Sequence, residues 1–105
     1  MAKGFDMNQL MRQAQEMQAQ MARAQEQLAN ETVEASAGGG LVTVKATGTG
    51  VVQEIKIDPK AIDPEDPELL EDTVLAAVNE ALRSAQSLAQ SKLGGLAGGL
   101  GLPGL

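Results

Sequence analysis

The chain contains no cysteine, no histidine, no tryptophan and no tyrosine, and only one phenylalanine. Without cysteine there is no disulfide, no thiolate nucleophile and no thiolate zinc site. Without histidine the usual general base and the commonest metal ligand are gone. Aromatic stacking surfaces are missing as well. No apolar run approaches the roughly 18 residues that a membrane-spanning helix needs. The opening Met1-Ala2-Lys3-Gly4-Phe5-Asp6 has no apolar block of the signal-peptide kind. These absences point to a cytoplasmic protein that neither spans a membrane nor carries out nucleophile–base chemistry.

What remains is 105 residues, enough for one domain. Sixteen alanines make up much of the apolar content, and they bury little area. Leu, Val, Ile, Met and Phe supply 29 larger side chains, four of them leucines in a Gly-rich tail. A domain of this size buries roughly two-thirds of its unfolded surface. So thin a core favours oligomerisation.

The net charge is −6, from 8 basic and 14 acidic residues, which taken whole disfavours nucleic acid. The distribution changes the reading. Residues 61–80 carry Asp63, Glu65, Asp66, Glu68, Glu71, Asp72 and Glu80 with no base among them. The other segments are close to neutral, so a basic face is still open to the chain.

Residues 6–30 lack Gly and Pro and are rich in Gln, Ala, Met and Glu, a helical composition, with Asp6 as N-cap. Met7, Leu10, Ala14, Met17, Met21, Ala24 and Leu28 recur at spacings of 3 and 4, a heptad stripe over three repeats. Such a helix is about 37 Å long at 1.5 Å per residue. Its flanks are mostly glutamine, which selects partners weakly. The stripe suits either the protein's own sheet or a partner helix, and methionine adapts to a partner.

Three β-rich runs follow: Glu31–Ser36, Leu41–Thr47 and Val51–Ile57, separated by Gly38-Gly39-Gly40 and Gly48-Thr49-Gly50. This reads as an antiparallel three-stranded meander. Val42, Val44 and Ala46 share one face of the middle strand. Alternation places Val51, Ile55 and Ile57 together on the last, giving one buried and one wet face. The glycine runs resemble phosphate-binding loops only in composition, since no helix or Gly-Lys-Ser/Thr follows them.

Asp58-Pro59, Asp63-Pro64 and Asp66-Pro67 are turn and cap signals. Asp66 caps a second helix with Pro67 in its first position, and Glu68, Glu71 and Asp72 suit its positive end. The helix is expected to run to Leu93 and stop at Gly94-Gly95. Its main face is Leu70, Val74, Ala77, Val78, Ala81, Ala85 and Leu88. A second stripe of Leu75, Leu82 and Ala89 widens it. Residues 1–93 form the expected domain, and 94–105 a disordered Gly/Leu-rich tail.

Arg12 and Arg23 stand eleven residues apart, about three turns, on one side of the first helix. With Lys3 and neighbouring glutamines they make a donor-rich surface that can meet phosphates without reading bases. Equally, Arg12–Glu16 and Arg23–Glu26 are neighbour pairs of a solvated helix face. In a dimer each arginine appears twice, on two projecting arms.

Several stretches in order resemble the bacterial YbaB/EbfC nucleoid-associated proteins. These are Leu10-Met11-Arg12-Gln13-Ala14-Gln15-Glu16-Met17-Gln18, Gly40-Leu41-Val42-Thr43-Val44, Ile57-Asp58-Pro59, Leu70-Glu71-Asp72 and Ala77-Val78-Asn79-Glu80-Ala81. The resemblance covers roughly residues 4–93, and Leu102-Pro103-Gly104 is also similar. It implies an α+β fold, an α-β-β-β-α protomer with a three-stranded antiparallel sheet and long terminal helices. It also implies an intertwined homodimer with helices protruding like tweezers, DNA binding in the nucleoid, and neither enzymatic activity nor a cofactor. Positions matching Arg12, Arg23 and Arg83 are basic in the family and inherit a DNA-contact role. The departure is charge: Ala and Gln stand in the first helix where relatives often add Lys.

The resulting expectation is a homodimeric, non-enzymatic protein of the cytoplasm and nucleoid. It binds double-stranded DNA largely without sequence specificity, helps to organise or compact the chromosome and influences gene expression. It has no membrane partner and no small-molecule substrate. Lys3, Arg12, Arg23 and Arg83 are the expected DNA contacts. Met7, Leu10, Met17, Met21, Leu75 and Leu82 are the expected dimer interface. The alternative is a protein-interaction or adaptor module built on the Met/Gln-rich first helix.

Overall fold

A computed structural model describes the backbone of residues 6–99 and the side chains of residues 6–95. The element order is α1 (Met7–Asn30), β1 (Thr32–Ala37), β2 (Val42–Thr47), β3 (Val52–Ile57), a short 3-10 turn (Pro59–Ala61) and α2 (Pro67–Gly99). This is the α-β-β-β-α arrangement that the sequence pattern predicts. The 3-10 turn is an addition, closed by the Asp58 carboxylate accepting from the Lys60 N–H at 2.9 Å.

The caps follow the sequence signals. The Asp6 carboxylate accepts from the Asn8 and Gln9 amides, supplying partners for donors a helix start leaves open. Asp66 does the same for the Leu69 amide at the start of α2. Asp63 accepts from the Glu65 amide in the turn before it. The acids that precede prolines therefore serve the backbone.

The sheet order is β1-β2-β3, all antiparallel. Val33, Ala35 and Ala37 on β1 pair with Ala46, Val44 and Val42 on β2, so all six share the face that meets α2. Val42, Val44, Ala46, Ala77 and Ala81 are fully buried and form the core. Alanines at 77 and 81 on the contacting side of α2 let the helix backbone lie close to the sheet. Leu70, Val74 and Val78 pack at the margin of this core.

Two expectations for β3 need correction. Its register shifts between Lys45 and Ala46: Lys45 pairs with Glu54, but Ala46 pairs with Val52. Gln53 is the extra residue of a β-bulge, so strict alternation fails there. Val52, not Val51, joins Ile55 and Ile57 opposite the apolar residues of β2. Nor is that face buried, because α2 packs on β1 and β2. Ile55 and Ile57 are 45% and 39% exposed.

The end of α2 also differs. The helix does not stop at Leu93 but passes through Gly94-Gly95 to Gly99. Neither glycine takes the positive φ of a helix-ending cap. Glycine weakens a helix by roughly 1 kcal/mol without breaking its hydrogen-bond ladder, so a long established helix can run through it. Residues 100–105 of the expected disordered tail lie outside the described residues.

α1 joins the body only near its end. Ala24 and Leu28 are its buried residues. Leu28 packs where the β2–β3 turn passes, and the Gly48 amide donates to the carbonyls of Leu28 and Glu31 at 2.9 and 3.0 Å. A Cβ on Gly48 would lie 2.9 Å from the Leu28 carbonyl oxygen, so glycine is required there by close approach. Residues 7–19 are exposed throughout. The molecule measures 79 × 24 × 16 Å, the shape of a small body with long helices extending from it.

Candidate nucleic-acid interface

Arg12 and Arg23 are both exposed on α1. Their spacing carries them round the helix to nearly the same side. The neighbour pairs with Glu16 and Glu26 do not form. Among the described residues, the ion pairs within 4.0 Å are Lys45–Glu54, Lys56–Glu54, Arg83–Glu80 and Lys92–Glu31. Both α1 guanidiniums are thus free to meet an incoming anion. Arg83 differs, since its guanidinium lies 3.2 Å from the Glu80 carboxylate, though it remains well exposed. Lys3 lies outside the described residues.

The apolar stripe of α1 divides between two roles. Ala24 and Leu28 are buried against the protein's own body, while Met7, Leu10, Met17 and Met21 stay 37–57% exposed. Among the described residues, the first three turns of the stripe have no partner within the protomer. On α2, Leu75 is 59% exposed and Leu82 half-buried.

A second uncovered apolar surface went unrecognised in the sequence. Ile57, Leu70, Val74, Leu75 and Val78, with Glu71 beside them, line a groove of about 510 Å³ between β3 and α2. Val52 and Ile55 continue the apolar face along β3. Among the described residues its far side is a free strand edge, because β3 ends the sheet. The apolar alternation of β3 was visible in the sequence, but not which side of the sheet α2 would leave bare.

Lys92 was also missed. It lies on α2 and reaches back to the end of α1, where its ammonium donates to the Gln27 side-chain carbonyl at 3.2 Å and to the Glu31 carboxylate. The partners are more than sixty residues apart in sequence, so no local pattern could indicate the contact.

The acidic segment lies at the opposite end of the body from the α1 junction. β1 runs from that junction at Thr32 to the turn at Gly38, where an added Cβ would touch Thr73 near the start of α2. Asp63, Glu65, Asp66, Glu68, Glu71 and Asp72 cluster in sequence around this start. Carboxylates are therefore concentrated at one end of the body, while the arm at the other carries Arg12 and Arg23 interspersed with Asp6, Glu16 and Glu26.

No helix among the described residues is long and apolar enough to cross a membrane. Residues 3–100 match the model of the YbaB/EbfC DNA-binding family. The chain is 52% identical to a nucleoid-associated protein of Ruminiclostridium cellulolyticum, with 97% of this chain and 90% of that protein covered. It is 55% identical to a nucleoid-associated protein of Streptomyces avermitilis, over 95% of this chain and 91% of that one. Among solved structures, it is similar in fold to an uncharacterized protein of Helicobacter pylori, with a TM-score of 0.78 at 20% identity. That match covers 89% of this chain and 98% of the other.

Proposed function

The chain belongs to the YbaB/EbfC DNA-binding family, and on that premise we propose that it is a nucleoid-associated protein that binds double-stranded DNA as a homodimer. The observation that carries the reading is the pair of exposed arginines on one side of α1, Arg12 on the stretch that stands clear of the body and Arg23 where α1 meets α2, neither ion-paired among the described residues. Their partners are backbone phosphates, so binding has little dependence on base sequence. The acidic end repels the duplex and favours approach by the arm. Arg83 and Lys3 are secondary contacts. The protein works by binding, without a cofactor or a small-molecule substrate, in the nucleoid of the cytoplasm. Its effect there is to organise or compact the chromosome and so influence gene expression.

Dimerisation is supported by apolar surface that one protomer leaves open. The β3–α2 groove is lined almost wholly by aliphatic side chains, and Leu75 stands proud beside it. A two-fold contact lets the same patch serve both copies. Met7, Leu10, Met17 and Met21 extend the interface along the arm, and Leu82 extends it along α2. Pairing doubles the arginines presented to one duplex.

The same exposed Met/Gln stripe supports a second reading, an adaptor that binds another protein. Salt dependence separates the two. Fluorescence anisotropy with two unrelated duplexes should give similar affinities that fall steeply with salt, with a log–log slope near −0.9 for each phosphate neutralised. Replacing Arg12 and Arg23 together by Ala removes four arginines from the dimer and should lower the magnitude of that slope by about four without altering the melting temperature. Absence of duplex binding even at low salt would favour the adaptor. An unchanged slope in the double variant would remove these two residues from the interface.

A further inference from the structure

Between α1 and α2 lies a cleft of about 360 Å³ lined by Gln20, Arg23, Ala24, Gln27 and Lys92. Two cations from different helices border it, together with two side-chain amides, and no carboxylate lines it. Three other cations are held by carboxylates of their own surroundings. Lys45 and Lys56 flank the shared carboxylate of Glu54, and Arg83 pairs along its own helix. The floor is Ala24, which is buried and small enough to leave the space open.

We infer that this cleft is a phosphate seat, in which Arg23 and Lys92 grip one backbone phosphodiester of the duplex from two sides. The inference rests on the DNA-binding reading above and adds to it a specific site and Lys92. A guanidinium offers a planar fork of donors and an ammonium a compact point charge, so together they suit a tetrahedral anion. Gln20 and Gln27 carry amide N–H groups that complete the donor set. In the free protein the Lys92 ammonium is held by Gln27 and by the Glu31 carboxylate just beyond the cleft lining. Lys92 is about a quarter exposed and Glu31 about two-fifths, so an anion from solvent can reach both. Glu31 acts as a competitor, occupying the ammonium until a phosphate takes its place.

Competition predicts opposite signs for the two halves of the ion pair. Lys92→Gln should weaken duplex binding several-fold and reduce the magnitude of the salt slope by about two, the loss of one phosphate contact in each protomer of the dimer. Lys92→Arg should keep the slope. Glu31→Gln removes the competitor and should tighten binding. If Lys92 served only to brace α1 against α2, breaking the pair from either side would weaken binding alike, and that result would overturn the seat. So would an unchanged slope in Lys92→Gln while the parent protein binds steeply with salt. A parent protein that binds no duplex refutes the wider DNA reading instead, and the two failures are therefore distinguishable.

Titration with inorganic phosphate, followed by calorimetry, tests the other source of the same chemistry. Weak, millimolar binding is expected of a seat that needs the rest of the duplex. Micromolar binding lost in Lys92→Gln, with duplex affinity intact, would assign the cleft to a small phosphate ligand and overturn the proposal. Thermal melts of the three variants, followed by circular dichroism, establish that differences in affinity are read on folded protein.

Discussion

Gly48 shows how much can rest on the absence of one carbon. Its amide donates to two carbonyls at the end of α1, and Leu28 packs directly over it. A methyl group there meets both the Leu28 side chain at 2.8 Å and its backbone oxygen at 2.9 Å. The side chain can turn aside, but the backbone oxygen belongs to the helix that Gly48 anchors. Gly48→Ala should therefore destabilise the fold by roughly 1–3 kcal/mol, as overpacking does in tight sites. Urea unfolding would read this as a lower midpoint at unchanged slope. Loss below about 0.5 kcal/mol would mean that the turn and α1 adjust freely. Arg12 and Arg23 are the contrasting case. They touch no carboxylate within the described residues, so their value to the folded state is small and their availability to a ligand high.

At the scale of elements, the seam between α2 and the sheet is governed by small residues. Ala77 and Ala81 are buried against a surface of valines and alanines, and this closeness is what lets so few large side chains make a core. Ala81→Leu adds three carbons at the centre of that seam and should lift the helix from β2, lowering stability by roughly 1–3 kcal/mol. The same change at Ala76, which is exposed on α2, should be nearly neutral. Paired thermal melts test the contrast, and equal effects would contradict the close seam. The element boundaries divide in the same way between local and distant causes. Asp6 and Asp66 mark helix starts because a cap is made by neighbours in the chain. The bulge at Gln53 depends on how β3 meets β2 across the Gly48-Thr49-Gly50 turn, and alternation within β3 alone does not reveal it.

As a whole, the protomer is a long object with an apolar side left open. The face formed by Val52, Ile55 and Ile57 runs into the groove between β3 and α2. Apolar area of this kind stabilises association by about 25 cal/mol for each Å² removed from water, before the entropy of docking is subtracted. In the proposed homodimer, Ile55→Asp would place a charge in that contact. Its expected effect is a fall in sedimentation mass from two chains to one. Duplex affinity should drop with it, since each arm then binds alone. A variant that stays dimeric would move the interface to the Met stripe of α1. Should the parent itself sediment as a single chain, paired arms would be excluded.

Composition and order alone determined the element sequence, the caps, the hairpin turns and the candidate arginines, because each depends on residues close together in the chain. They also carried the family resemblance, which lies in the order and spacing of short stretches. Other features needed the folded chain. Only the tertiary structure decided that α2 covers β1 and β2 and leaves β3 bare, that α1 is free over most of its length, and that Lys92 meets Gln27, Glu31 and the cleft beside Arg23. The physical reason is that periodicity says which side of an element is apolar but not what lies against it. A contact between residues sixty positions apart leaves no mark in either local sequence.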